Sequence, residues 1–204
     1  MPAEQGEPVF SRQERWERAE VHYPTIIREE NRFRMWYVAF ADPEDPWVKQ
    51  GNLPGKLPST WCYAESEDGY NWERPNLGLF AFAGSTDNTI LFAASDTRSH
   101  YGYMNLMRDD QGDPQERYKA ISRTSIFYYK GVRQESMSYE RKWKIRREMD
   151  AKGYTREQKR KELYFELFLL GATSPDGLRW HFIKEPILAF GRSGLDSQNI
   201  ASYD

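Results

Sequence analysis

Ser66-Glu67-Asp68-Gly69-Tyr70-Asn71-Trp72 and Ser174-Pro175-Asp176-Gly177-Leu178-Arg179-Trp180 are two copies of one pattern, Ser-x-Asp-Gly-x-x-Trp, placed 108 residues apart. Each copy follows an apolar, β-prone run, Trp61 to Glu65 in the first and Tyr164 to Ala172 in the second. Asp-Gly supplies a tight turn, because glycine accepts positive φ and the aspartate carboxylate can bond nearby backbone amides. The serine adds a further local bond. The tryptophan then opens the returning strand, where its ring can cover the sheet edge. One copy is an ordinary hairpin. Two copies in the same strand context predict a structural repeat.

Outward from these turns the chain reads as short strands. Residues 1–20 are polar and charged and are expected to lie along the surface. Tyr23 to Ile27 and Phe33 to Phe40 form a predicted hairpin about the turn Glu29-Glu30-Asn31. Pro43, Pro46, Pro54 and Pro58 mark an irregular loop. After the first Ser-x-Asp-Gly turn, Leu79 to Phe82 and Thr89 to Phe92 read as strands. A second group follows: Tyr101 to Met107, Tyr118 to Ile121, Tyr164 to Ala172 and Ile187 to Phe190. Another begins near Asp196. Residues 136–162 break the pattern. Tyr139 and Trp143, and likewise Ile145 and Met149, are four apart and can share a helix face. Gly153 can end that helix, and Thr155-Arg156-Glu157-Gln158 matches a capping box that opens another. A helical hairpin inserted in the β pattern is expected.

The chain has 204 residues, 39% hydrophobic and 15% aromatic, with a formal net charge of −2. That charge does not point to a nucleic-acid or membrane partner. Residues 140–162 hold ten Lys or Arg against five Asp or Glu. A solvated helix face is the ordinary reading, a nucleic-acid patch the competing one, and nucleic acid is not the expected partner. The single cysteine, Cys62, excludes an intrachain disulfide and a cysteine-cluster metal site; its apolar surroundings predict a buried, inert thiol. No secretory signal is visible and no run nears the roughly 20 apolar residues that cross a bilayer, so the chain reads as soluble and, as given, cytoplasmic. Nothing in the sequence specifies an oligomeric state.

Repeated four-stranded sheets that cannot bury their faces alone stack radially, which makes the expected fold all-β, a β-propeller. Removing the helical insertion leaves about 75 residues between the copies, one long blade with its loops. Two blades and the start of a third are present, so residues 21–204 read as a partial propeller domain belonging to a longer protein. Tyr23-Pro24, Arg34-Met35-Trp36-Tyr37 and the stretch from Ala64 to Leu79 resemble the five-bladed propellers of the invertase, levansucrase and arabinanase group of glycoside hydrolases. Glu116 to Ala120 and Asp196-Ser197-Gln198-Asn199 fit the same group, and the closest likeness is to its uncharacterised bacterial members. The resemblance covers about residues 20–204.

It implies a carbohydrate partner held in a central funnel; no cofactor is expected and no metal ligands are assigned, although His22 and His100 are residue types that can bind a metal. Glycoside hydrolysis uses two carboxylates flanking the scissile bond. In such propellers the working acids come from the innermost strands of different blades, which directs attention to the starts of first strands. Asp196 is the first catalytic candidate and Glu20 its candidate partner. His22, Tyr23, His100, Tyr101 and Asn199 are candidate substrate-binding residues, since imidazole and phenol groups bond sugar hydroxyls. Arg108-Asp109-Asp110 is similar to the Arg-Asp-Pro element of invertase-like enzymes but lacks its proline, so a turn is the plainer reading. The nucleophile segment and the Glu-Cys acid of invertases are both missing. The enzymatic expectation therefore stands beside two others: a non-catalytic carbohydrate-binding or scaffold propeller, and an interaction module using the basic helical insertion.

Overall fold

A computed structural model describes residues 6–53, 58–93, 104–134, 139–183 and 185–191. The chain divides into two compact units, Met1–Asn52 with Leu57–Ala93, and Leu53–Lys56 with Ala94–Asp204. Each is built on an antiparallel sheet.

In the first unit, β1 (Glu20–Glu29), β2 (Arg32–Phe40), β3 (Ser59–Ser66) and β4 (Ile90–Ala93) lie side by side in sequence order. The expected hairpin is present, with its first strand three residues longer at the front and its turn at Glu30-Asn31. β2 is buried on both faces from Arg34 to Phe40. Its alternate residues send Trp36 and Val38 to one side, with Trp61 and Tyr63 of β3, and Met35 and Tyr37 to the other, with Cys62 and Ala64. Val38 and Ile90 have no accessible surface, and burying such a side chain contributes about 1.5–3 kcal/mol.

Leu79 to Phe82 does not form the strand expected of it. Pro75, Asn76 and Gly78 interrupt the ladder, and the chain keeps only single bridges, Glu65 to Glu73 and Phe82 to Ser85. The Asn88 side chain ties this segment down, donating to Phe80 O at 2.8 Å and accepting from Ile90 N at 2.9 Å.

The N-terminal segment is exposed over much of residues 6–15, as expected, but Trp16 and Glu17 are buried. Glu17 accepts from Tyr37 Oη at 2.6 Å and from Arg74 Nε and Nη2 at 2.8 and 3.0 Å. Arg74 also donates to Ser11 O at 2.7 Å and lies 4.1 Å from the Phe10 ring centroid. Residues 10–17 are thereby strapped to the Tyr37 face of the sheet. Burial and the neighbouring Cys62 and Glu17 hold the Tyr37 phenol well above its ordinary pKa. Burial likewise pushes up the Cys62 thiol, in line with an inert role.

In the second unit, β5 (Met104–Arg108), β6 (Tyr118–Tyr129), β8 (Leu163–Ser174) and β10 (Leu188–Gly191) are adjacent in that order. The small strands β7 (Val132–Gln134) and β9 (His181–Phe182) pair with β6 and β8. Without those two, the order matches the first unit strand for strand. β6 and β8 pair residue for residue from Tyr118–Ser174 to Tyr129–Leu163. Among the described residues they outrun β5, whose pairing reaches Ser122 of β6, and β10, whose pairing reaches Leu167 of β8.

The projecting end carries the helical hairpin, α1 (Tyr139–Ala151) and α2 (Arg156–Glu162). The expected signals are in place. Gly153 has φ +73°, with Tyr154 N bonded to Met149 O at 3.0 Å, and Thr155 and Gln158 form the reciprocal capping box. Ile145, Met149 and Leu163 form a small core with Phe127, Tyr129 and Tyr154 packed against it.

Candidate functional site

The two Ser-x-Asp-Gly segments are one structure made twice. Ser66 and Ser174 are the last residues of β3 and β8, the third main strand of each sheet. Ser66 Oγ accepts from Gly69 N at 2.9 Å, and Ser174 Oγ from Gly177 N at 2.9 Å. Asp68 Oδ1 accepts from Tyr70 N and Asn71 N at 2.8 and 2.7 Å; Asp176 Oδ1 accepts from Leu178 N and Arg179 N, both at 2.8 Å. The second carboxylate oxygen takes Asn71 Nδ2 at 2.7 Å in one copy and Arg179 Nη1 at 2.9 Å in the other. Trp72 Nε1 and Trp180 Nε1 each fold back to donate to the glycine carbonyl at 3.1 Å. Gly69 and Gly177 have φ +80° and +74°.

Amide bonds from Asn71 and Tyr70 hold the Asp68 carboxyl well below its usual range. Asp176 is also lowered: its partial burial opposes this, and the bonds from Arg179 and Leu178 outweigh it. Both aspartates are occupied in closing the turn.

The candidate site lies at the start of β1. Glu20, His22 and Tyr23 come together there. His22 Nε2 is 2.6 Å from Glu20 Oε2, and the His22 ring lies 5.5 Å from the Tyr23 ring and 5.7 Å, edge-on, from Phe40. Glu20 and His22 are two apart on a strand and share one face. The side chains are accessible, 60% for Glu20 and 45% for His22.

The ladder slips between His22 and Thr25, and Tyr23 sits in that bulge at φ +53°. A left-handed tyrosine within a strand costs of order 1–3 kcal/mol, and such bulges and strained residues cluster at functional sites. Sequence reasoning found these residues but not the bulge. The signal was the Tyr-Pro pair, since proline denies the ladder a donor and restricts the residue before it. Asp196, His100, Tyr101 and Asn199 lie outside the described residues.

Arg108-Asp109-Asp110 closes a turn. Asp109 Oδ1 accepts from Gln111 N at 3.0 Å and Gly112 N at 2.9 Å, and its carboxylate pairs with Lys119. That lysine, with the amide bonds, lowers the Asp109 pKa. Asp110 pairs with Arg108 at 2.8 Å.

A second polar cluster that sequence reasoning missed crosses the other end of the first sheet. The buried Arg34 guanidinium donates to Tyr63 Oη at 2.8 Å and Glu29 Oε1 at 3.3 Å, and Tyr63 Oη donates to Glu65 at 2.9 Å. Burial pushes the Tyr63 phenol up to about 12, against the pull of Arg34. These groups satisfy one another and present no open coordination. An open polar depression between Gln13, Arg15, Arg18, Asp42, Glu44, Asp45 and Pro46 is bridged by the Arg15–Asp45 pair at 2.6 Å.

Among the described residues no three His, Cys, Asp or Glu side chains converge as a metal site. Among them, too, no helix is long and apolar enough to cross a membrane. No protein-family model matches the chain, and no curated protein or solved structure is significantly similar to it.

Proposed function

We propose that the two sheets are blades of a five-bladed type of β-propeller, and that Glu20, His22 and Tyr23 form part of a carbohydrate-binding site at the inner start of the first blade. The blade reading is supported by the shared four-strand order and by the same turn after the third strand of each. The observation that carries the binding reading is the His22–Glu20 pair at 2.6 Å beside a tyrosine held left-handed in a bulge.

A carboxylate and an imidazole side by side accept from and donate to adjacent hydroxyls of one sugar ring. A tyrosine ring offers an apolar face to sugar C–H groups and a polar tip to water. The Glu20 side chain is 60% accessible, open to the hydroxyl groups of a ligand.

Hydrolysis is the second reading, and it rests on Asp196 supplying the reacting carboxylate. The two carboxyl groups would then stand about 5–5.5 Å apart in a retaining enzyme and about 6.5–9.5 Å in an inverting one.

The test is calorimetric titration of the chain with a panel of oligosaccharides, repeated with Glu20→Gln, His22→Ala and Tyr23→Ala. Binding that weakens at least about tenfold in each variant supports the site. Sugars bound equally by all three variants, or by none of the proteins, remove it. Aryl-glycoside turnover compared with Asp196→Asn separates hydrolysis from binding.

A further inference from the structure

The helical hairpin is built with more cations than its own fold uses. α1 turns Ile145 and Met149 inward, and its opposite face carries Trp143, Lys144 and Arg147. Trp143 is 43% exposed, with the Arg146 guanidinium 5.7 Å from its ring centroid. α2 exposes Arg156 and Arg160. Two lysines are paired inside the hairpin, Lys159 with Asp150 and Lys161 with Glu157. Among the described residues Lys144, Arg147, Lys152, Arg156 and Arg160 have no ion-pair partner.

The first unit carries the opposite excess. Residues 1–52 and 57–93 hold fifteen Asp or Glu against eight Lys or Arg. At the end of its sheet that bears the first Ser-x-Asp-Gly turn, Tyr70 is 71% exposed, and Glu67 and Glu73 beside it are exposed as well. Glu30, also exposed, is in the β1–β2 turn at that end. The nearby cations are engaged, Arg32 with Glu65 at 3.1 Å and Arg28 over the Phe33 ring at 5.6 Å. One surface is thus an aromatic ring among bases, and the other an aromatic ring among acids.

We infer that the helical hairpin is a docking arm for a second copy of this chain, and that it seats on the Tyr70 end of the partner's first unit. The arm's cations meet carboxylates there, and its guanidiniums meet the face of Tyr70. A second copy fits the charge better than the alternatives. The chain as a whole carries no cationic excess to draw in a nucleic acid, its formal net charge being −2. A membrane would need an apolar helix face, and the apolar face of α1 is turned inward. Reciprocal docking, arm to acidic end in both directions, closes a two-fold dimer with two equivalent contacts.

Sedimentation velocity over a concentration series tests this, at about 20 mM and about 0.5 M salt, between which the screening length falls from roughly 20 Å to about 4 Å. The expected result is a dimer at low salt that weakens at least about tenfold at high salt. Arg147→Glu with Arg160→Glu should weaken it similarly, as should Glu67→Lys with Glu73→Lys. Mixing those two variants should restore a dimer, because both contacts then pair opposite charges again. Circular dichroism of each variant checks that it is folded, and the salt series on the unaltered chain needs no variant. A monomer at every concentration in low salt overturns the proposal. So does a dimer indifferent to the arm substitutions, or a labelled RNA oligonucleotide that binds the arm of a monomer.

Discussion

The guanidinium of Arg74 holds the carboxylate of Glu17 in two hydrogen bonds, 2.8 and 3.0 Å long, across 57 residues of sequence. The Glu17 side chain has no accessible surface and that of Arg74 retains 8%. The pair fastens residues 10–17 to the first sheet. An ion pair of this kind is a weak source of net stability but a severe point of failure, because removing one partner leaves the other charge buried.

Arg74→Met should therefore destabilise the first unit by about 3–5 kcal/mol, read from urea unfolding followed by tryptophan fluorescence. Glu17→Leu combined with Arg74→Met should cost much less than either change alone. Single costs that simply add would show that the two groups do not act as a pair.

The twin turns should respond alike. Ser66→Ala and Ser174→Ala each remove an acceptor for a glycine amide, at a cost of about 0.5–1.5 kcal/mol. Gly69→Ala and Gly177→Ala each force a side chain into the left-handed region, at φ +80° and +74°, at a cost of about 1–3 kcal/mol. Thermal unfolding of the four variants checks this. A serine change felt in one copy and silent in the other would break the equivalence.

Acid should erode the stability that these turns confer. The Asp68 carboxyl is lowered in the folded state, so its contribution is complete above the unfolded value near 4 and fades as pH falls toward the folded one. Stability measured by urea titration from pH 5 downward should fall more steeply in the natural chain than in Asp68→Asn. The natural chain should also be the more stable of the two at pH 7. A variant with an unchanged acid limb would place the linkage elsewhere.

Tyr23→Gly should uncouple stability from binding. It relieves a left-handed tyrosine and should leave the chain as stable or up to about 1 kcal/mol more stable, while sugar affinity falls with loss of the ring. A marked loss of stability, seen in the unfolding midpoint, would mean that the ring is there to pack and not to bind.

Ile145→Ala should act on the arm alone. A truncated isoleucine in a small core costs about 2–4 kcal/mol, enough to open a helical hairpin whose core among the described residues is Ile145, Met149 and Leu163 with three neighbours. Amide exchange should quicken throughout α1 and α2 while β2 and β3 keep their protection. Uniform loss across the second unit would show that the hairpin and its sheet melt as one.

What could be read from the sequence was local. The capping box at Thr155, the helix end at Gly153 and the closed turns at Ser66 and Ser174 depend on residues within six positions of one another. Glu17 and Arg74 could not be matched in advance, because nothing beside either names its partner. β6 was read only to Ile121, since Ser122-Arg123-Thr124-Ser125 is polar and lacks an alternating pattern. Pairing with Leu167 to Leu170 of β8 carries it through. At the candidate site, residue types pointed to Glu20, His22 and Tyr23, whereas the bulge depends on the register against β2. That register follows from packing along the whole strand.

The twin turns differ at Glu67 and Pro175, Tyr70 and Leu178, and Asn71 and Arg179, yet corresponding hydrogen bonds agree to within 0.1 Å, apart from the side-chain bond made by Asn71 or Arg179. Even there, an amide and a guanidinium deliver a donor to the same carboxylate oxygen. A pattern of donors and acceptors can thus be kept while the letters between its fixed points differ. Four residues, Ser, Asp, Gly and Trp, are what the two turns share, and the same geometry forms around them twice.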